Sequence, residues 1–324
     1  MRLRTIRRVS AVFCLAGVTA LVAGGCSVIA GVVHGARTGN WGYAIGAGIN
    51  HGIRTIDYVA SSAAESMAND EVPERFSPEQ EYYIGRGVSA SLVDSMGVPP
   101  AGDATDTQLR YLNEMAGYIT VANPDGSALW RGVRVGIVES SEIGAYATPG
   151  GFVWISRGTL KLCTSEEELA AVLCHELGHV AHGHAIEAYR KDGGGKVKPN
   201  PWIKNLGKVA PLPRASGNFF GGLATRIAEN RYTVDQEEEA DRWALNALAT
   251  AGYDPMALHR VFLRIKVHMK ATKTPGLYLK NHPPIDDRIA MVKEEVSDNE
   301  VLRVSVNPGA KARQKARFEV VFKR

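Results

Sequence analysis

Cysteine is scarce in this chain, with four residues in 324. Only Cys163 and Cys174 lie beyond residue 26. That excludes a disulfide-stapled scaffold. A bridge between those two is excluded as well. Cys174 falls roughly nine residues, or about 13 Å, into a helix expected to start near Ser165, whereas bridged Cα atoms must sit within about 7 Å. Two buried free thiols are therefore expected. Long apolar runs are also few: one stretch, Val9 to Gly25, stands out. No repeat of about 20–50 residues is visible, which argues against a solenoid. A basic field is missing too. The formal charge of +4 (38 basic minus 34 acidic side chains) is carried by Arg2, Arg4, Arg7 and Arg8, so the remainder sums to zero. Nucleic acid is not an expected partner.

What is present begins with a targeting pattern. Four arginines, an apolar run and small residues before Cys26 have the form of an export signal over residues 1–25. Ala23-Gly24-Gly25-Cys26 has the form of a bacterial lipobox, which predicts lipidation of Cys26 and a lipid bilayer as one partner. Ser27, where an Asp would favour retention, points to the outer membrane; inner-membrane anchoring is the alternative. Residues 26–75 are rich in Gly, Ala and Ser and read as a tether. The folded domain is expected over 76–298, with a β-like tail over 299–324.

Within that domain, Ser77-Pro78-Glu79-Gln80 predicts a capped helix running to about Val93. A second helix is expected over 107–121. Val133, Val135 and Ile137 alternate in a strand over 131–139, and 152–156 is a second strand entered through Pro149-Gly150-Gly151. One long helix is expected over 165–190, started by a Ser165/Glu168 capping box. A loop over 191–222 follows, suited to a lid. Further helices are expected over 233–251, from Asp254-Pro255, and over 285–296. The pieces 301–306 and 317–322 read as strands.

The chemistry concentrates in Cys174-His175-Glu176-Leu177-Gly178-His179. Two histidines four apart on a helix present their rings on one face, one turn apart, as two ligands of a single zinc ion need. Glu176 beside them suits a general base that takes a proton from zinc-bound water. Catalytic zinc usually has three protein ligands. His182 and His184 share the helix but cannot complete the site unless it bends, so they read as surface or supporting histidines. Downstream, Glu237 and Asp241 are also four apart; Glu237 is suited to the metal, and Asp241 to the outer N–H of a ligating ring.

These motifs, with Glu237-x-x-Ala240-Asp241, Phe76-Ser77-Pro78-Glu79-Gln80-Glu81, Thr148-Pro149-Gly150-Gly151-Phe152-Val153 and His282-Pro283-Pro284…Arg288, resemble the HtpX and CAAX prenyl protease type of gluzincin, in its periplasmic lipoprotein branch. The resemblance covers about residues 76–296. It implies an α+β, mainly helical zincin-like domain with a small β-sheet, one Zn2+, and Glu237 as third ligand. It also implies His282 either as a fourth ligand that latches the site or, with Arg288, as an oxyanion donor. Gly144-Ala145-Tyr146-Ala147 departs from the Asn-Ala that often precedes the Pro-Gly-Gly strand. The substrate is expected to extend along Gly150, Gly151, Phe152, Val153 and Trp154, taken as an edge strand. The expected function is zinc metalloendopeptidase action on cell-envelope polypeptides, unassembled outer-membrane proteins among them. The alternative is a zinc-containing chaperone without turnover.

Overall fold

A computed structural model describes residues 76–123, 132–191, 223, 227, 232–272, 282, 285–303 and 308–322. The export signal, Cys26, the tether and the 191–222 loop (except its first residue) lie outside the described residues.

Helix α1 (Pro78–Met96) starts as its sequence dictates: Ser77 Oγ accepts from Gln80 N–H, and the Gln80 side chain accepts from Ser77 N–H. Helix α2 (Asp103–Ala122) begins four residues before its expected start, with Asp103 and Asp106 in its first turn, where the helix dipole favours acids. Three strands follow: β1 (Arg134–Val138), β2 (Ala145–Thr148) and β3 (Phe152–Ser156). β3 lies in the middle, parallel to β1 and antiparallel to β2. The short β2 is buried along its whole length, so no alternation marked it.

Helix α3 (Arg157–Leu162) leads into α4 (Glu166–Ala181), the helix of the His-Glu-x-x-His motif. Ser165 caps α4 through Glu168 N–H. Glu168 does not close the expected box; its carboxylate accepts from Thr164 N–H at 2.7 Å and from Arg264 Nε at 2.8 Å. The single helix expected over 165–190 is two. α4 ends at His182-Gly183, where Gly183 takes φ +67°, and α5 (His184–Lys191) leaves in a new direction. Beyond come α6 (Val234–Thr250), α7 (Met256–Thr272) and α8 (Ile285–Asp298).

The β-like tail is a correction. Residues 300–302 form one 3-10 turn, and Pro308–Phe322 is a helix, α9. Pro308 suits a first helical position, and the Ala, Lys, Arg and Gln that follow are strong helix formers. Its buried residues, Gln314 and Phe318, are four apart on one face.

The core lies between the sheet and α2, α4, α6, α7, α8 and α9, around Leu112, Ile155, Leu169, Leu173, Leu245 and Phe262. Cys163 and Cys174 are buried free thiols within it, as expected. α4 and α6 pack along one another. A Cβ on Gly178 would lie 2.9 Å from the Cα and O of Ala240. The absence of a side chain there lets the two backbones approach.

Candidate metal centre

That approach brings α6 onto the face of α4 that carries His175 and His179. Their Nε2 atoms are 3.1 Å apart. Glu237 Oε2 is 3.6 Å from His175 Nε2, and Glu237 Oε1 is 3.5 Å from His179 Nε2. His282 joins from just before α8, its Nδ1 2.7 Å from Glu237 Oε1. All four side chains are buried and offer ligand atoms within 4.8 Å of one another.

Supporting contacts surround them. His175 Nδ1 is 2.8 Å from Asp241 Oδ1. Arg288 donates to both Asp241 oxygens, through Nε at 2.7 Å and Nη2 at 2.6 Å, and its Nη1 is 2.9 Å from Glu237 Oε2. The guanidinium lies over the Phe262 ring, 4.3 Å from its centre. Tyr232 stacks on His179 with ring centres 4.1 Å apart; nothing in its local sequence signalled that role. Burial would raise Asp241, but the Arg288 charge and hydrogen bond, with His175, hold its carboxyl at about 2. Glu237 is likewise lowered, because His282 and Arg288 outweigh its burial. Burial, then the neighbouring His175 and His282, holds His179 well below the usual imidazole range, so its ring is neutral and offers a lone pair.

Glu176 is buried one residue along from His175, and the Ala147 backbone N–H of β2 bonds its carboxylate. Burial pushes it up to about 7, against the charge of His175. A cation at the ring nitrogens would draw that value down again.

Does this donor set fit zinc? Tetrahedral bonds of about 2.0–2.2 Å place ligand atoms about 3.3–3.6 Å apart; here the two ring nitrogens are 3.1 Å apart, and each lies 3.5 or 3.6 Å from a different oxygen of Glu237. Charge points the same way. Two ionised carboxylates, Glu237 and Asp241, face one guanidinium, Arg288, which leaves one buried negative charge in excess. Burial and Arg288 pull His175 down, yet Asp241 and Glu237 raise it, which expresses the same shortage of positive charge. Among the described residues, the buried Glu237 Oε2 has an ion-pair contact with Arg288 Nη1 at 2.9 Å but no hydrogen bond of ordinary geometry. The residues fit the ion.

One expectation needs correcting. β3 is the central strand, hydrogen-bonded on both sides, so it has no edge for a substrate. The residues expected along the substrate are engaged in the fold: Gly150, in the turn before β3 and at φ +71°, sits against the Tyr82 backbone, Val153 is fully buried, and Trp154 donates to Ser89. The edge that faces Glu176 belongs to β2. Arg288, expected as an oxyanion donor, has Asp241 and Glu237 on its guanidinium. His184, read as surface or supporting, is buried with Nδ1 2.9 Å from His179 Nδ1, while His182 is exposed.

A profile of peptidase family M48 matches residues 112–296, more than half of the chain. The chain belongs to peptidase family M48. Among curated proteins, this M48 chain is 27% identical over 159 residues to the beta-barrel assembly-enhancing protease of Yersinia pestis, covering 48% of the chain and 32% of that protein. It is 23% identical over 179 residues to metalloprotease LoiP of Escherichia coli strain K12, covering 55% and 69% respectively. It is 26% identical over 163 residues to the mitochondrial metalloendopeptidase OMA1 of Schizosaccharomyces pombe, covering 49% and 45%. The matched region spans about a third of the beta-barrel assembly-enhancing proteases. The M48 fold is the mainly helical, zincin-like domain with a small sheet that the motifs implied. Among the described residues, no helix is long and apolar enough to cross a membrane.

Proposed function

We propose that this M48 chain is a zinc metalloendopeptidase that cleaves polypeptides of the bacterial cell envelope. The observation that carries the reading is the convergence of two ring nitrogens 3.1 Å apart with the Glu237 carboxylate, whose two oxygens lie 3.5 and 3.6 Å from one nitrogen each, with Glu176 beside them. His175, His179 and Glu237 would hold the ion. Zinc there would activate a water for attack and polarise the scissile carbonyl. Glu176, buried and oriented by Ala147 N–H, takes the proton from the attacking water and passes it to the departing nitrogen. Asp241 fixes the His175 ring, and Arg288 neutralises the buried carboxylates. The backbone edge of β2 is the one beside which a substrate would lie.

His282 carries a second part of the proposal. Its contact with Glu237 suits a side chain that takes the fourth position on the metal and keeps the enzyme latent. Freed from there, the same ring suits an oxyanion donor. The names of the beta-barrel assembly-enhancing relatives support unassembled outer-membrane proteins as substrates. The export signal and lipobox support a lipid anchor at Cys26 facing the periplasm, in the outer membrane rather than the inner.

The test is digestion of casein by the purified chain. Cleavage is expected to need zinc, to stop with a chelator, and to vanish in Glu176→Gln while zinc stays bound. Full turnover by Glu176→Gln would end the mechanism, and zinc binding without any cleavage would favour the chaperone reading. His282→Ala is expected to raise proteolysis; an unchanged or lower rate would remove the latch.

A further inference from the structure

His184 and Glu239 form a polar chain behind His179 that the catalytic reading does not use. Gly183, at φ +67°, turns the backbone so that His184, the first residue of α5, comes back against α4. His184 is 1% exposed. Its Nδ1 is 2.9 Å from His179 Nδ1, and its Nε2 is 3.0 Å from Glu239 Oε2. The Glu239 side chain is 55% exposed, so the polar chain ends at the solvent.

Two readings compete. His182, His184 and Glu239 also bring ligand atoms within 4.8 Å of one another, so a second metal is conceivable on distance alone. Proton accounting separates the readings. A neutral imidazole carries one N–H and one lone pair. If His179 binds zinc through Nε2, its proton sits on Nδ1 and must be donated. The atom facing it is His184 Nδ1, which must then offer its lone pair. The His184 proton is thereby placed on Nε2, where it is donated to Glu239. Every donor meets an acceptor, and His184 has no lone pair left for a metal. A metal on His184 Nε2 would force the proton onto His184 Nδ1, setting N–H against N–H or stripping His179 of its ligating lone pair.

We propose that His184, held by Glu239, is a positioning residue that fixes the tautomer and orientation of His179, as Asp241 does for His175. One helix, α6, then supplies a metal ligand (Glu237) and the anchors of both ligating rings (Asp241 and Glu239). This proposal rests on His179 being a zinc ligand.

The test measures zinc affinity of the full chain by chelator competition, with ring 15N shifts of the zinc-loaded protein. His184→Leu, which keeps bulk but removes the acceptor, is expected to weaken zinc binding about 10–100-fold. His184→Asn, whose amide oxygen can stand in for Nδ1, is expected to stay within a few-fold of wild type. Glu239→Gln, still an acceptor, should also change little, and His182→Ala should change nothing. The 15N shifts should place the proton on Nδ1 of His179 and on Nε2 of His184. Wild-type affinity in His184→Leu would overturn the proposal, as would a proton on His184 Nδ1. A second zinc equivalent lost in His182→Ala would overturn it in favour of a metal site. If His184→Leu does not fold, the wild-type shifts and His184→Asn still decide. A wild-type protein that binds no zinc at all would instead sink the metal reading on which this one stands.

Discussion

Asp241 shows how much of this site's chemistry sits one step behind the ligands. Fully buried, it takes two hydrogen bonds from Arg288 and holds His175 Nδ1. Its carboxyl is kept at about 2, because Arg288 and His175 outweigh burial, so it is an anion at any working pH. Asp241→Asn keeps the shape but removes that charge, leaving Arg288 with less compensation and His175 with a weaker acceptor. Zinc affinity is expected to fall about 10–100-fold, read by chelator competition on the folded protein. Unchanged affinity would mean that Asp241 does not orient the ring.

At the scale of elements, the site depends on how closely α4 and α6 approach. Gly178 sits between the two ligating histidines in sequence, and any Cβ there meets the Ala240 backbone at 2.9 Å. Backbone cannot rotate away as a side chain can. Gly178→Val is therefore expected to cost about 1–3 kcal/mol by overpacking and to move Glu237 away from the rings. Denaturant melts together with zinc titration check both effects; tight zinc binding in that variant would show that the spacing tolerates more than a glycine. Gly183 is a different case, since among the described residues, its chain neighbours aside, no atom lies within 4 Å of a Cβ placed there. Gly183→Ala is expected to cost about 1–2 kcal/mol through the left-handed conformation alone. A loss well beyond that would mean the bend itself is disrupted.

Across the whole molecule, the N-terminus of α4 is tied to distant parts of the chain by three consecutive buried acids. Glu166 accepts from Tyr111 Oη at 2.8 Å, Tyr253 Oη at 3.1 Å and Arg317 Nε at 3.1 Å. Glu167 pairs with Arg260 at 3.0 Å, and Glu168 with Arg264 at 2.8 Å. Arg317 belongs to α9, so this helix secures the end of the catalytic helix. Arg317→Ala leaves Glu166 with two tyrosine donors but no counter-charge. Stability is expected to drop by about 1–3 kcal/mol in chemical denaturation, with an unchanged m-value. A drop within error would make α9 an appendage. Metal removal acts on the same scale: a chelator is expected to lower the melting temperature, because a metal held by residues from three separate segments would bind the folded site and not the unfolded chain. An identical melting temperature with and without chelator would argue against a zinc-stabilised fold.

Local patterns sufficed where neighbours in sequence are also the interacting groups. The Ser77/Gln80 cap, the β1 alternation, the two cysteines as separate buried thiols and the pairing of His175 with His179 on one helical face all follow from short-range geometry. Glu237 and Asp241 were legible as a pair four apart, although only the family resemblance tied them to the histidines. Tertiary structure decided the rest. β3 became an inner strand because β2, too short and too buried to show a period, took its outer side. A run of valines near residue 320 became the end of α9 because Phe318 had a core to enter and Arg317 had Glu166 to meet. Arg288 was drawn to two carboxylates on another helix. His184 turned inward at Gly183 because a neutral ring could complete the hydrogen-bond chain from His179 to Glu239. For Arg317, Arg288 and His184, the partner (Glu166, Asp241 and Glu239) lies far along the chain, and no pattern confined to one segment encodes that distance.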